Sequence, residues 1–166
     1  MNSKKLFIYH LIMLFIPATK LFKFKAVLLR WCEAKVGSNV RIVSSEKFYL
    51  SGELSIGDNT RMGHEVMIVS EQAPVIIRRD CNIAHRVMLV TGSHKINDSN
   101  SYKIAGDGYS LPREIGNGCW IFVNVTIVGG SKKGDKVLIG ANNLIKSYLK
   151  SESKIYSPNL NKYYSV

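Results

Sequence analysis

An aliphatic side chain returns at every sixth position over most of the chain, and this period constrains the fold more than any other feature of the sequence. A six-residue period matches neither the 3.6-residue repeat of an amphipathic helix nor the twofold alternation of an ordinary strand. It predicts a chain that runs straight, turns a corner and repeats, with one aliphatic side chain per face pointing toward the axis of a triangular coil. The runs are Ile56, Met62, Ile68; Ile77, Ile83, Leu89; and Ile115, Ile121, Ile127, Ile139, Ile145.

The period is interrupted twice. Between His94 and Pro112 the hexads stop in the polar, glycine-containing segment HKINDSNSYKIAGDGYSLP, which predicts a loop leaving the coil over 95–113. Lys133 occupies a slot where an inward aliphatic residue is expected. An unpaired buried ammonium is costly, so we expect Lys133 to reach solvent or a carboxylate, with local distortion near Ser131–Gly134.

Two segments carry a family resemblance, namely IGNGCWIFVNVTIVGG (Ile115–Gly130) and GDKVLIGAN (Gly134–Asn142). They resemble the hexapeptide-repeat acyltransferases, and in particular the sugar O-acetyltransferases. The resemblance implies an all-β fold, a left-handed parallel β-helix over 36–147, assembled as a homotrimer. Residues 1–35 would form a helical, apolar and basic N-terminal segment, and 148–166 a C-terminal tail.

The resemblance also implies the reaction, which is transfer of an acetyl group from acetyl-CoA to a sugar hydroxyl, with no metal. The basic, apolar front end leading into GSNVRI (Gly37–Ile42) is most similar to the polysaccharide-modifying branch. The expected acceptor is therefore a bacterial surface polysaccharide (capsule, O-antigen or exopolysaccharide) or its precursor.

His94, at the end of VTGSH, stands where the family has its catalytic histidine. A neutral sugar hydroxyl is a weak nucleophile, and imidazole, with an unperturbed pKa of about 6.5, can take its proton and return it to the departing thiolate. The family's assisting asparagine falls on Gly63, so the second catalytic contact passes to Glu65 or His64, and we predict Glu65. His85, in the middle of a hexad, is predicted to be a surface or subunit-contact residue.

Acetyl-CoA is expected between adjacent coils near the C-terminal end. By position in the family, Trp120 and Val123 would flank the pantetheine and Ala141 would contribute backbone contacts. Lys146 and Ser147 would lie toward the nucleotide, as a shifted version of the usual Thr-Lys pair.

The front end allows two compatible interpretations. Leu6–Ile16 is an apolar run that is too short to cross a bilayer, and Phe24, Val27, Leu28 and Trp31 follow a helical stripe opposite Lys20, Lys23 and Arg30. Residues 1–31 could therefore cap the coil, or lie on anionic lipid as a peripheral membrane contact. Three cysteines without a CxxC pair make a disulfide framework improbable and favour a cytoplasmic location. If residues 1–31 lie on lipid, the protein would associate with the inner face of the membrane.

Other functions compatible with this fold are N-acetylation of an amino-sugar nucleotide, acetylation of an antibiotic, a zinc-dependent hydratase and a non-catalytic scaffold. A zinc site needs three histidines meeting between subunits, and His85 and His94 are only nine residues apart, about half of one coil. The net charge of +11 is not accompanied by an aromatic-basic module, so nucleic acid is not an expected partner.

Overall fold

A computed structural model describes residues 1–98, 102–128, 130, 132–146 and 148–156. Within these residues two helices precede a left-handed parallel β-helix, as the six-residue period and the resemblance predicted. The helices are α1 (Ser3–Met13) and α2 (Phe22–Trp31). The strands are β1 (Lys35–Val36), β2 (Lys47–Leu50), β3 (Leu54–Ile56), β4 (Arg61–Met62), β5 (Met67–Ser70), β6 (Val75–Ile77), β7 (Asn82–Ile83), β8 (Met88–Val90), β9 (Gly92–Ile96), β10 (Ala105–Ser110), β11 (Arg113–Ile115), β12 (Trp120–Ile121), β13 (Thr126–Ile127), β14 (Lys132–Lys133), β15 (Leu138–Ile139), β16 (Leu144–Ile145) and β17 (Lys154–Ile155).

The coil has three faces, each a parallel sheet whose strands come from successive turns. Face A is β1-β3-β6-β11-β14, face B is β4-β7-β12-β15-β17 and face C is β2-β5-β8-β13-β16. The chain visits the faces in the order A, B, C, as in β6, β7 and β8. Residues one turn apart pair directly, for example Ile121 with Ile139 on face B.

The core consists of the predicted aliphatic residues stacked in three columns. Ile56, Ile77 and Ile115 lie in register on face A, and the corresponding columns on faces B and C are equally buried. Small and medium-sized residues that directly precede the strands are also buried, namely Thr60, Cys81, Val87, Cys119 and Val125. Each turn can therefore cover the apolar surface of the turn below it, which is the physical basis of the repeat.

The corners between faces use a left-handed backbone conformation at one residue. Asn59, Asn124 and Asn142 have φ values of 57°, 58° and 60°, a region that asparagine tolerates better than most residues. Asn124 Nδ2 donates to Asn142 Oδ1 over 3.1 Å, so the same corner in two consecutive turns is tied by side-chain amides. The sharp turn thus comes with its own stacking contact.

The interruption of the period between His94 and Pro112 is an antiparallel hairpin made of β9 and β10. It leaves the coil after β8 on face C and rejoins it at β11 on face A. The hairpin therefore projects from the corner between faces C and A.

Lys133 keeps the inward direction of the aliphatic residue that it replaces. It pairs with Ile115 on face A and is only 1% exposed, so the expectation that it would reach solvent is wrong. Burial, together with the charge of buried Arg113, lowers the pKa of Lys133 to about 8. Past the predicted boundary at 147, β17 still pairs with β15, so the ladder of face B extends into the segment expected to be a tail.

The two helices cover the N-terminal end of the coil. The inward residues Leu6, Tyr9, Met13 and Leu29 belong to the same buried cluster as the columns. His10 Nε2 accepts the backbone N–H of Phe48 over 3.1 Å, which satisfies a donor of the terminal strand β2. Residues 1–31 are therefore a cap in this fold.

The apolar stripe of α2 faces away from the coil. Phe24, Val27 and Trp31 are exposed, whereas Lys25 is fully buried. The Lys25 ammonium donates to the carbonyl oxygens of Pro17 and Ala18 over 3.1 and 2.6 Å. The turn between the helices thus supplies acceptors that allow a lysine to face inward.

Candidate active site

His94 lies on strand β9 of the hairpin and is exposed. Its Nδ1 is 2.9 Å from the carbonyl oxygen of Gly106. A carbonyl can only accept, so this bond requires a proton on Nδ1 and leaves the lone pair of the neutral ring on Nε2. Gly108 is the Cα partner of His94 across the hairpin, which fixes the ring beside β10. The neutral ring of His94 thus presents Nε2 as its basic nitrogen.

Trp120 lies on face B, half exposed, over a groove of about 410 Å³. Its ring stacks on Phe122 with 4.3 Å between the centroids. The groove is lined by Arg61, Met62, Gly63, Asn82, Ile83, Ala84, His85 and Trp120. It offers an aromatic wall, an apolar floor and an imidazole, which is a surface suited to an amphipathic chain.

His85 is the residue that sequence reasoning undervalued, since it lines the groove together with Trp120. Its Nδ1 accepts the backbone N–H of His64 over 2.8 Å, which places its ring proton on Nε2. The six-residue period could have indicated this position of His85. Ile83 pairs with Ile121, so His85 lies beside the residues that follow Trp120.

Glu65, the predicted second catalytic residue, lies at a corner with φ 59°. Its backbone N–H donates to Ser45 Oγ over 3.2 Å, and its side chain borders another groove, together with Met67 and Met88. The Trp120 groove is lined by Gly63 and His85 and not by Glu65. Within one chain, the structure therefore brings His85, rather than Glu65, to the expected pantetheine residue.

The residues predicted for acetyl-CoA follow one edge of the coil toward its C-terminal end. Val123 is half-buried at the corner after β12, and its carbonyl accepts the N–H of Asn142, so Ala141 lies in the next turn at the same corner. Lys146 is exposed after β16, on the side of face C. Ser147 lies outside the described residues. Trp120, Val123, Ala141 and Lys146 thus lie in order from face B around the corner to face C.

His94 and Trp120 lie on different sides of the same chain. The hairpin projects from the corner between faces C and A, whereas Trp120 is on face B, which is opposite that corner in a triangular coil. A base and a thioester must be within hydrogen-bonding reach of one hydroxyl to react. The two halves of the predicted site can therefore meet only between chains.

The histidines do not gather into a metal site within one chain. His64 and His85 are stacked, with 5.3 Å between ring centroids, while His94 is on the hairpin. Among the residues that the structure describes, no group of three or more histidine, cysteine, aspartate or glutamate side chains could hold an ion.

Known proteins with similar sequences are acetyltransferases. The chain is 30% identical over 125 residues to the putative colanic acid biosynthesis acetyltransferase WcaF of Escherichia coli K12, which is 75% of this chain and 65% of that protein. It is 30% identical over 112 residues to the galactoside O-acetyltransferase of the same organism, or 68% of this chain and 54% of that one. The chain therefore spans less than two thirds of the length of the curated relatives that it matches.

The fold is shared with a hexapeptide-repeat-containing acetyltransferase from Vibrio cholerae O1 biovar eltor, solved in complex with acetyl coenzyme A. The TM-score is 0.74 at 19% identity, over 94% of this chain and 82% of that one. The chain thus shares the fold of a hexapeptide-repeat acetyltransferase and is similar in sequence to the two acetyltransferases above. No family model matches the sequence, so the likeness to these acetyltransferases rests on the relatives and on the fold.

Proposed function

We propose that this protein is an acetyl-CoA-dependent O-acetyltransferase that acts on a sugar hydroxyl of a bacterial surface polysaccharide or of its precursor. The observation that carries the proposal is the bond between His94 Nδ1 and the Gly106 carbonyl, which reserves Nε2 as a base. The acceptor class is taken from the relatives, one named for colanic acid biosynthesis and one for galactoside O-acetylation.

In the proposed reaction His94 Nε2 removes the proton of the acceptor hydroxyl as the sugar oxygen attacks the thioester carbonyl. The carbon–sulfur bond breaks, the CoA thiolate leaves, and the imidazolium returns the proton to it, so the histidine ends as it began. No acyl-enzyme is required. The exposed position of His94 on the hairpin leaves Nε2 accessible to an acceptor as large as a glycan.

We propose that the active enzyme is a homotrimer whose sites each combine two chains. The support is topological, because His94 projects from the corner between faces C and A while Trp120 lies on face B of the same chain. A closed ring with heterologous contacts would bring the hairpin of one chain to face B of its neighbour, once per subunit. His85 would then be the second histidine beside the shared hydroxyl, and Glu65 retains a part only if the neighbouring hairpin reaches its corner.

Acetyl transfer is tested with purified protein, acetyl-CoA, and either extracted surface polysaccharide, its lipid-linked precursors or a simple β-galactoside. The expected product carries an acetyl group that mild base removes, and the His94→Ala variant does not form it. A base-stable product would mean N-acetylation. Turnover unchanged in His94→Ala would contradict the role of His94 as the base, and absence of transfer by the unmodified protein would favour a non-catalytic scaffold.

The shared site is tested by co-expressing two inactive variants with different tags. Chains with His94→Ala keep Trp120, and chains with Trp120→Asp keep His94. In a ring of three chains that contains both variants, about one third of the sites hold both intact residues. Activity recovered in doubly tagged oligomers at about that fraction supports the shared site, and absence of recovery in such oligomers contradicts it.

A further inference from the structure

The two N-terminal helices expose apolar side chains on the faces turned away from the coil. Phe7 and Phe15 are 71% and 83% exposed, and Leu11, Leu21, Phe24 and Trp31 are also open to solvent. We call these six residues the apolar helical surface. Single exposed apolar residues are normal, but a concentration of large ones on two contacting helices marks an interaction site.

The apolar helical surface is accompanied by basic residues. Lys4, Lys20, Lys23 and Arg30 are exposed on the same helices and their connection, and no acidic residue precedes Glu33 in the sequence. A partner that suits both features must present apolar material beside negative charge.

An anionic lipid bilayer has this composition. We propose that the apolar helical surface inserts into the interfacial layer of an anionic membrane, with its aromatic rings at the acyl boundary and its lysines against lipid phosphates. The helices, of 11 and 10 residues, would lie in the plane of the membrane, since about 20 residues are needed to span it. Among the described helices none is long and apolar enough to cross a bilayer.

A second copy of this chain fits the same surface less well. Contact between two such surfaces would bring Lys4, Lys20 and Lys23 of each copy together, whereas the carboxylate beside this surface, Glu33, is already paired with Lys5. The inward faces of both helices are already occupied by the coil, so the fold itself cannot use the outward residues. The lipid surface therefore accounts for both the rings and the charges.

Membrane binding would place the coil next to lipid-linked acceptors, a consequence that rests on the proposed acetyl transfer. The binding itself does not depend on that activity. The test uses the full chain and sedimentation with vesicles of phosphatidylcholine alone, or of phosphatidylcholine with one quarter phosphatidylglycerol. We expect binding to the anionic vesicles, weakened by salt because exposed charges are screened.

The apolar part is tested with the double variant Phe7→Ser and Phe15→Ser. The matched control is Ile96→Ser with Tyr102→Ser, whose side chains are as exposed but lie elsewhere. We expect the partition constant to fall by more than about tenfold in the first variant and by less than about twofold in the control. Equal binding of both would overturn the proposal.

The charged part is tested with Lys20→Glu and Lys23→Glu together, against Lys95→Glu with Lys154→Glu as a control of equal charge change. The first pair should lose at least about tenfold of its binding to anionic vesicles, and the control much less. Acetyl transfer to a soluble acceptor should be unchanged in the Lys20 and Lys23 variant, which separates this proposal from the catalytic one. Absence of vesicle binding by the unmodified chain, or a drop in oligomer mass in the Phe7 and Phe15 variant without loss of vesicle binding, would refute it.

Discussion

His94→Asn separates the two bonds that the His94 ring can make. The asparagine amide N–H can replace Nδ1–H as donor to the Gly106 carbonyl, which is 2.9 Å from the histidine, but asparagine has no group at the position of Nε2. The variant therefore keeps the hairpin contact and lacks the proposed base.

Removal of a general base usually costs about 10²- to 10⁴-fold in rate, or about 3–5.5 kcal/mol of transition-state free energy. We expect kcat to fall by this factor in His94→Asn, with a much smaller change in KM for acetyl-CoA. The His94 side chain is exposed, so the free energy of unfolding should change by less than about 0.5 kcal/mol.

The assay follows CoA release with a thiol reagent, which is practical because Cys32, Cys81 and Cys119 are all buried and contribute little background. His94→Ala, which loses both bonds, should match His94→Asn in kcat within a few-fold. If His94→Asn kept kcat within about threefold of the unmodified enzyme while His94→Ala did not, the histidine would only hold the hairpin, and the base would have to be sought elsewhere.

Three further predictions concern cofactor binding and stability. Trp120→Ala should raise KM for acetyl-CoA on the order of tenfold with a smaller effect on kcat, measured by initial rates, and Trp120→Phe should restore most of the loss. Ile121→Ala should lower the free energy of unfolding by about 2–5 kcal/mol in urea titrations, because the side chain is fully buried, whereas Leu144→Ala on the outer surface should stay within about 0.5 kcal/mol. Burial raises the pKa of the Glu46 carboxyl above its usual value, so the carboxyl binds its proton more tightly in the folded state than in the unfolded state. This difference in proton affinity stabilises the fold at low pH, and the stabilisation is lost as pH rises through the raised pKa. Glu46→Gln should therefore gain stability relative to the unmodified protein as pH rises above the ordinary carboxyl pKa of about 4.3, and a constant difference in urea midpoints would contradict this assignment.

The coil could be read from the sequence because its core is one-dimensional. Each hexad directs one aliphatic residue toward the axis. The local pattern therefore predicts three successive faces, at Ile77, Ile83 and Leu89, without knowledge of distant contacts. The sequence predicts the hairpin only as a loop, because an interruption of the six-residue period does not indicate which strands pair. The period places Lys133 in an inward slot, as observed, but the expectation that it reaches solvent is wrong because the coil buries that slot.

The site was harder to predict than the fold because it depends on which surfaces meet. The family resemblance predicts His94 and Trp120 as site residues, but the six-residue spacing does not show that the hairpin emerges opposite face B. Glu65, predicted beside Gly63, borders a different groove from the one that Gly63 lines, and its catalytic role stays a prediction. The six-residue period predicts which side chains point toward the axis, but it does not predict which outward side chains line the same groove.

The orientation of α2 links the cap to the proposed membrane contact. Ordinary amphipathic logic buries the apolar stripe and exposes the lysines. Here Lys25 is buried, and its pKa is lowered by that burial, while Phe24 and Trp31 remain in solvent. In water this arrangement raises the free energy of the folded state on both faces of α2, because desolvating an ammonium and exposing aromatic rings are each unfavourable. The carbonyls of Pro17 and Ala18 offset the first cost, and the interfacial layer of the proposed membrane would offset the second. Exchanging the two faces, with Lys25→Leu and Phe24→Lys, should therefore keep or raise stability in solution while weakening vesicle binding, and a variant that bound vesicles as before would separate the orientation of α2 from the membrane.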